Sequence, residues 1–68
     1  MDDVVALLES AREAFGRRDW PSALEGFNTA RENAALSADD LTALGDSAWW
    51  VGDIDAAIAG YEGAYRSV

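Results

Sequence analysis

The sequence predicts an all-α protein built from two copies of one helix–turn–helix unit, and three observations carry this prediction. Residues of similar type recur 34 positions apart, so that Trp20 matches Ile54 and Phe27 matches Tyr61. Apolar residues recur at helical spacing in four segments of three to four turns each. No segment shows the strict alternation of a half-buried strand. A fixed repeat period of this length is typical of helical repeat arrays.

Length and composition indicate one small domain that covers residues 1–68. Half of the residues are apolar, although 68 residues lie near the lower limit for a stable single core. The net charge of −8, with five arginines and no lysine, argues against a nucleic-acid surface. The acidic N-terminus and the lack of a long apolar run predict no signal peptide and no membrane span, so we expect a cytoplasmic protein.

The residue types also argue against catalysis. The chain has no histidine, cysteine or lysine, so only carboxylates remain for acid–base chemistry. No glycine-rich phosphate loop follows a strand. The aspartates between residues 39 and 55 lack a loop that would converge their oxygens on a cation, and helix capping with solvation explains them. We therefore expect no enzyme, no cofactor and no metal site.

The first two helices are predicted on either side of a short polar turn. Helix one runs from Asp2 to Gly16 with a wide apolar stripe. Helix two begins at Trp20 or Pro21, since proline fits the first helical turn, and Asp19 is the candidate N-cap. It is expected to fade by Ala35. The short connection makes the two helices antiparallel.

The last two helices carry clearer boundary signals. Ser37 should accept a hydrogen bond from the Asp40 amide, and the Asp40 carboxylate should bond back, as in a capping box. Gly52 ends helix three, and Asp53 caps helix four, which is expected to run to about Ser67. Small residues should let the helices of each pair approach closely; these are Ala11, Ala23, Gly45 and Ala57.

These residues also match a known family pattern. The second copy carries it at Leu41, Leu44-Gly45, Gly52-Asp53, Ala57, Tyr61 and Ala64. The first copy is looser, with Ser10 and Ala11 in place of Leu-Gly and Arg18 in place of the turn glycine. Over essentially its whole length the chain thus resembles the tetratricopeptide repeat family. The segments RRDWPSAL, SADDL and AWWVGDIDAAIAGYEGAYR further resemble the tetratricopeptide part of actinobacterial LuxR-type and related multidomain regulators.

The resemblance implies two tandem hairpins, about residues 4–36 and 38–68, in a fragment of a right-handed α-solenoid. It also implies a concave groove, lined by the first helix of each hairpin, that binds a peptide segment or helix of a partner protein. The groove residues would be Val5, Leu8, Arg12, Phe15, Thr42, Asp46 and Trp49. A ligand with apolar anchors and basic flanks would fit them. The alternative is that Phe15 and Trp49 are buried where helix pairs or subunits meet.

A second alternative concerns the last helix. Such arrays normally finish with a polar capping helix, so helix four should leave apolar residues for a second copy, further chain or a partner to cover. The candidates for self-association are Trp50, Tyr61, Tyr65 and Val68. Trp49 and Trp50 cannot both point inward, because neighbours on a helix diverge by about 100°, and Trp20 should hold the turn. We thus expect a peptide-binding part of a larger regulatory protein or, alternatively, a structural homodimer, with helix exchange as a variant.

Overall fold

The computed structural model describes residues 3–66 and is all-α. Its helices are α1 (Asp3–Gly16), α2 (Trp20–Asn33), α3 (Ala38–Val51) and α4 (Ile54–Arg66), with no strand among the described residues. The all-α prediction is confirmed, and α2 ends two residues earlier than expected. The expected role of Asp2 in the first turn and the end of α4 at Ser67 lie outside the described residues. No helix in this part of the chain is long and apolar enough to cross a membrane.

Each helix packs against the next one along the chain. α1 packs on α2 and α3 on α4, α2 packs on α3, and α1 makes a smaller contact with α3. Within residues 3–66, α4 approaches no helix other than α3. The core is made mostly of small residues around a few large side chains; its buried members are Ala11, Ala14, Ala23, Phe27, Ala30, Leu36, Leu41 and Leu44.

The connections α1–α2 and α3–α4 have the same backbone geometry. The Asp19 N–H donates to the Ala14 carbonyl at 2.9 Å, and the Asp53 N–H donates to the Ala48 carbonyl at 2.9 Å. The residue before each aspartate has a positive φ, as expected where a helix ends in a left-handed residue. The repeat period of the sequence is therefore a period of the backbone hydrogen bonding too.

Glycine and alanine set the distance between the helices of each pair. A Cβ added at Gly26 would lie 2.8 Å from the Ala11 Cβ, and one added at Gly60 would lie 2.8 Å from the Gly45 amide nitrogen. These two contacts are again separated by one repeat period. The close approach expected from Ala11 and Gly45 is present, and it depends equally on the glycines that face them.

The N-caps agree only partly with the sequence prediction. Ser37 Oγ accepts from the Asp40 amide at 3.2 Å, as expected. The Asp40 carboxylate bonds back to the Ser37 hydroxyl at 3.1 Å, whereas in a capping box it would accept from the Ser37 backbone N–H. Asp53 Oδ1 accepts from the Ala56 amide at 3.1 Å and caps α4 as predicted. Asp19 is the N-cap residue of α2, as predicted, but unlike Asp53 its side chain makes no capping bond. Pro21 explains the difference in part, because it removes one of the amides that such a cap would use.

Candidate functional site

The predicted groove residues occupy equivalent positions on α1 and α3. They are spaced three or four residues apart within each helix, which places each set along one helical face. A shift by one repeat period carries Arg12 onto Asp46 and Phe15 onto Trp49. α1 and α3 contact each other directly. The two faces are therefore arranged alike on neighbouring helices.

An ion pair fixes α1 against the start of α3. Arg12 Nε donates to Asp40 Oδ1 at 2.9 Å, and Arg12 Nη2 donates to Asp40 Oδ2 at 2.6 Å. The Asp40 side chain is 7% exposed, whereas that of Arg12 is 55% exposed. The hydrogen bonds from Arg12 hold the pKa of the Asp40 carboxyl below its usual value, against the opposing effect of burial, and the pKa of Arg12 is raised in turn. Two of the Arg12 donors are thus already used within the chain.

A second polar contact joins α3 to α4. The Tyr61 hydroxyl donates to Asp46 Oδ1 at 2.5 Å. This bond to a carboxylate, with some burial of the hydroxyl, raises the pKa of Tyr61 to about 12. The Tyr61 ring also packs over Gly45, where an added Cβ would lie 2.8 Å from the ring carbons. Asp46 is therefore oriented by an internal partner.

The apolar groove residues differ in exposure. Trp49 is 57% exposed and Val5 is 48% exposed. Leu8 and Phe15 are half-buried and pack against the core. Within residues 3–66, Trp49 makes no aromatic ring contact. Val5 and Trp49 are consequently the groove residues with the most apolar surface open to solvent.

Thr42 is also one of the expected groove residues. Its hydroxyl donates to the Ala38 carbonyl at 2.9 Å, one turn back in the same helix. This is a common bond for threonine inside a helix, and it satisfies the hydroxyl donor locally. Thr42 therefore offers its methyl group and an acceptor lone pair to the surface.

Three aromatic rings form a row across α1, α2 and α3. The Phe15 and Trp20 ring centroids are 5.4 Å apart in an edge-on contact, and the Trp20 and Trp50 rings stack at 5.8 Å. Trp20 thus holds the α1–α2 turn, as predicted from the sequence. Trp50 stays 64% exposed, so both tryptophans of the Trp49-Trp50 pair lie more than half in solvent. An open depression of about 390 Å³ is lined by Arg18, Trp20 and Trp50.

Two of the self-association candidates, Tyr61 and Tyr65, lie on α4. Tyr61 is 39% exposed and Tyr65 is 82% exposed, while Val68 lies outside the described residues. Ile54 and Ile58 were not among the predicted self-association residues, yet they are 47% and 50% exposed on the same helical face. Their spacing of four, three and four residues through Tyr61 to Tyr65 was the available signal. Trp50 is separate from this face, because it stacks on α2.

Comparison of the chain with protein-family models, with curated proteins and with solved structures finds no match. Two surfaces of residues 3–66 are candidate functional sites. One is the α1/α3 face, where two polar contacts orient charged groups beside exposed Trp49 and Val5. The other is the exposed apolar face of α4.

Proposed function

We propose that the chain is a protein–protein interaction module, formed by two tandem tetratricopeptide hairpins of a right-handed α-solenoid. It binds a peptide segment or a helix of a partner protein on the α1/α3 face and has no catalytic role. We further propose that it works in the cytoplasm, as part of a larger regulatory protein.

Repetition of local geometry supports the tandem arrangement. The turn after α1 and the turn after α3 share their hydrogen bonds, and the close contact Gly26–Ala11 recurs one repeat period later as Gly60–Gly45. The packing of α2 on α3 stacks one helix pair on the other. Stacking of equivalent helix pairs through neighbour contacts is the defining property of a helical solenoid.

The single observation that carries the binding proposal is the exposure of Trp49. An indole that is 57% exposed and makes no ring contact within residues 3–66 leaves a large apolar area in water. Tryptophan is enriched among the residues that contribute most binding energy at protein interfaces. Phe15, the equivalent residue on α1, is instead packed edge-on against Trp20. Trp49 is thus an apolar anchor that residues 3–66 leave more than half uncovered.

The neighbouring charges define the ligand chemistry. Arg12 is engaged by Asp40, so it offers a ligand carboxylate only part of its guanidinium. The Asp46 carboxylate accepts one bond from Tyr61 and keeps capacity for a cationic group. With a net charge of −8, the protein attracts positive ligands. The ligand that fits is a segment with an apolar anchor for Trp49 and lysine or arginine beside it.

The test is a selection from a displayed library of random 12-residue peptides, followed by titration of the selected peptides into ¹⁵N-labelled protein. Peptides with an apolar anchor and basic flanks should be enriched, and they should shift the Trp49 indole and the Val5 amide. Trp49→Ala should weaken binding at least about tenfold, because an anchor of this kind contributes about 2 kcal/mol or more. The circular dichroism spectrum of Trp49→Ala should remain that of the wild type.

Tyr65→Ala is the matched control, since it removes an even more exposed aromatic side chain from α4. This variant should bind the selected peptides as the wild type does. Selected peptides that bind Trp49→Ala unchanged, or that shift only α4, would disprove the groove proposal.

A further inference from the structure

Equivalent positions on α2 and α4 differ sharply in exposure. Phe27 on α2 is fully buried, whereas Tyr61, its equivalent one repeat period later, is 39% exposed. Leu24 is half-buried and its equivalent, Ile58, is 50% exposed. The difference arises because α2 packs on both α1 and α3, whereas within residues 3–66 α4 packs on α3 alone. The residues exposed on this face of α4 are thus equivalent to residues that are wholly or partly buried on α2.

The uncovered face is a continuous and uncharged stripe, which we call the α4 stripe. It consists of Ile54, Ile58, Tyr61 and Tyr65, which share one side of the helix. The side of α4 that packs on α3 is centred on small residues, with Ala57 and Gly60 buried. Tyr61 lies at the border of the two sides, because its ring also packs over Gly45. A surface helix needs only one apolar face, so the second one indicates a further contact.

We propose that the occupant of the α4 stripe is the α4 stripe of a second copy of this chain, in an antiparallel pair about a two-fold axis. The exposed parts of the four side chains amount to about 400 Å² per copy, at about 150–250 Å² for each fully exposed large side chain. Two fully covered stripes would bury about 800 Å² in total, which is the size of a weak, transient interface. The expected dimer is therefore reversible.

The polarity of α1 makes a closed pair the favoured assembly. The side of α3 that contacts α2 carries Trp50, which stacks on Trp20. Ala43, two turns before Trp50, and Ser47, one turn before it, lie on the same side. Their equivalents on α1 are Glu9 and Glu13, both exposed. A second copy therefore cannot cover the α4 stripe with α1 in the way that α3 covers α2, because these carboxylates would be buried without partners. Head-to-tail chains are disfavoured, and pairing through identical faces remains.

An antiparallel register brings unlike groups together. With the axis midway along the stripe, Ile54 lies opposite Tyr65 of the second copy, and Ile58 lies opposite Tyr61. Isoleucine then packs on tyrosine at each step. Like charges elsewhere on the two acidic copies repel one another, so added salt should strengthen the dimer.

The first test is the molar mass of the purified chain by light scattering across a hundredfold concentration range. The wild type should change from monomer to dimer. Ile58→Glu and Tyr65→Glu should each raise the dissociation constant at least about 100-fold, because the dimer would bury two unpaired carboxylates. Val5→Glu, a similarly exposed residue on α1, is the control and should still dimerise. Circular dichroism should show wild-type helix content in all three variants.

A wild type that remains monomeric at millimolar concentration would overturn the proposal. Dissociation by Val5→Glu, with both α4 variants still dimeric, would overturn it equally. A mass that rises past two copies would show that the assembly is an open chain, and the two-fold pairing would then be wrong.

The second test measures the register of the two helices. Only the introduced thiols can form a disulfide, because the chain has no cysteine of its own. Ile54→Cys and Tyr65→Cys proteins, mixed under mild oxidation, should form the mixed disulfide faster than either homodimer. Faster formation of the Ile54→Cys homodimer would indicate parallel helices and overturn the register. An equally fast mixed disulfide between Ile54→Cys and Val5→Cys would mean that cross-linking follows random collision, which would overturn it as well.

Discussion

Arg18 and Gly52 occupy the same position in the two intrapair turns, and both have a left-handed backbone. Their φ angles are 62° and 88°, and Arg18 is the only non-glycine residue with a positive φ among residues 3–66. Each residue follows the end of a helix whose last carbonyls accept bonds from the turn. The turn therefore imposes this conformation, and in the first copy an arginine adopts it at a steric cost.

Arg18→Gly should stabilise the protein. Removing the steric strain of an arginine in the left-handed conformation should stabilise the folded state by about 1–2 kcal/mol. The greater conformational freedom of glycine in the unfolded chain should offset about half of that gain. The net gain of about 0.5–1 kcal/mol should raise the melting temperature by about 3–6 °C in thermal unfolding followed by circular dichroism. Arg17→Gly removes the same charge from a neighbour without a positive φ, so it should lower stability. A fall in melting temperature for Arg18→Gly would contradict this account.

Two glycines of α4 should respond oppositely to alanine. In Gly60→Ala the new Cβ would lie 2.8–2.9 Å from backbone atoms of Gly45, which cannot move without separating α3 from α4. We expect a net loss of about 1–3 kcal/mol from overpacking. In Gly63→Ala the nearest atom is the Leu41 Cδ1 at 3.3 Å, a side-chain atom that can shift. That variant should be neutral or gain up to about 1 kcal/mol from helix propensity. Urea unfolding of both variants is the measurement, and equal losses would contradict the close-approach account.

The Arg12–Asp40 pair should give stability that is lost in acid. Because the folded-state pKa of Asp40 is lowered below its ordinary value of 3.8, the contribution is present above that pH and lost as the pH falls through the folded-state pKa. Asp40→Asn should cost about 1–2 kcal/mol at pH 7, since it removes charge-assisted hydrogen bonds. The difference between Asp40→Asn and wild type should shrink below about pH 4. Urea unfolding between pH 2 and pH 7 would measure it.

Asp39→Asn is the matched control for that series, because it removes a carboxylate from an exposed neighbour in the same helical turn. It should cost less than about 0.5 kcal/mol at pH 7. A loss for Asp40→Asn that stays constant down to pH 2 would show that the carboxylate charge contributes nothing, and the ion pair would then be only a packing contact.

The Tyr61–Asp46 bond can be observed directly by titration. Tyr65→Phe leaves Tyr61 as the only tyrosine, and its phenolate absorbance should appear with a midpoint at about 12. Adding Asp46→Asn should move the midpoint down towards 10.0, the ordinary value. Because the folded-state pKa is raised, the bond stabilises the fold below pH 10 and is lost as the pH rises towards 12. A midpoint near 10 in the folded Tyr65→Phe protein would mean that the bond is absent in solution.

Helix boundaries followed from the sequence wherever a local signal set them. The Ser37 cap and the glycine at Gly52 depend on backbone groups within a few residues, so local chemistry is enough to place them. Asp19 is the N-cap of α2, as its residue type predicted, but its side chain makes no capping bond, in part because Pro21, two residues later, has no N–H to donate. The bond from Arg12 to Asp40 could not be predicted, since it joins residues 28 positions apart.

The sequence by itself determined the all-α class, the four helices and the repeat period. Helix formation and repetition both depend on the spacing of residue types along the chain, which can be read from the sequence directly. Only the tertiary structure decided which apolar residues are covered. Phe27 and Tyr61 look equivalent in the sequence, yet one is fully buried and the other is 39% exposed. Burial depends on what packs against a helix, and in residues 3–66 α2 packs on both α1 and α3 whereas α4 packs on α3 alone.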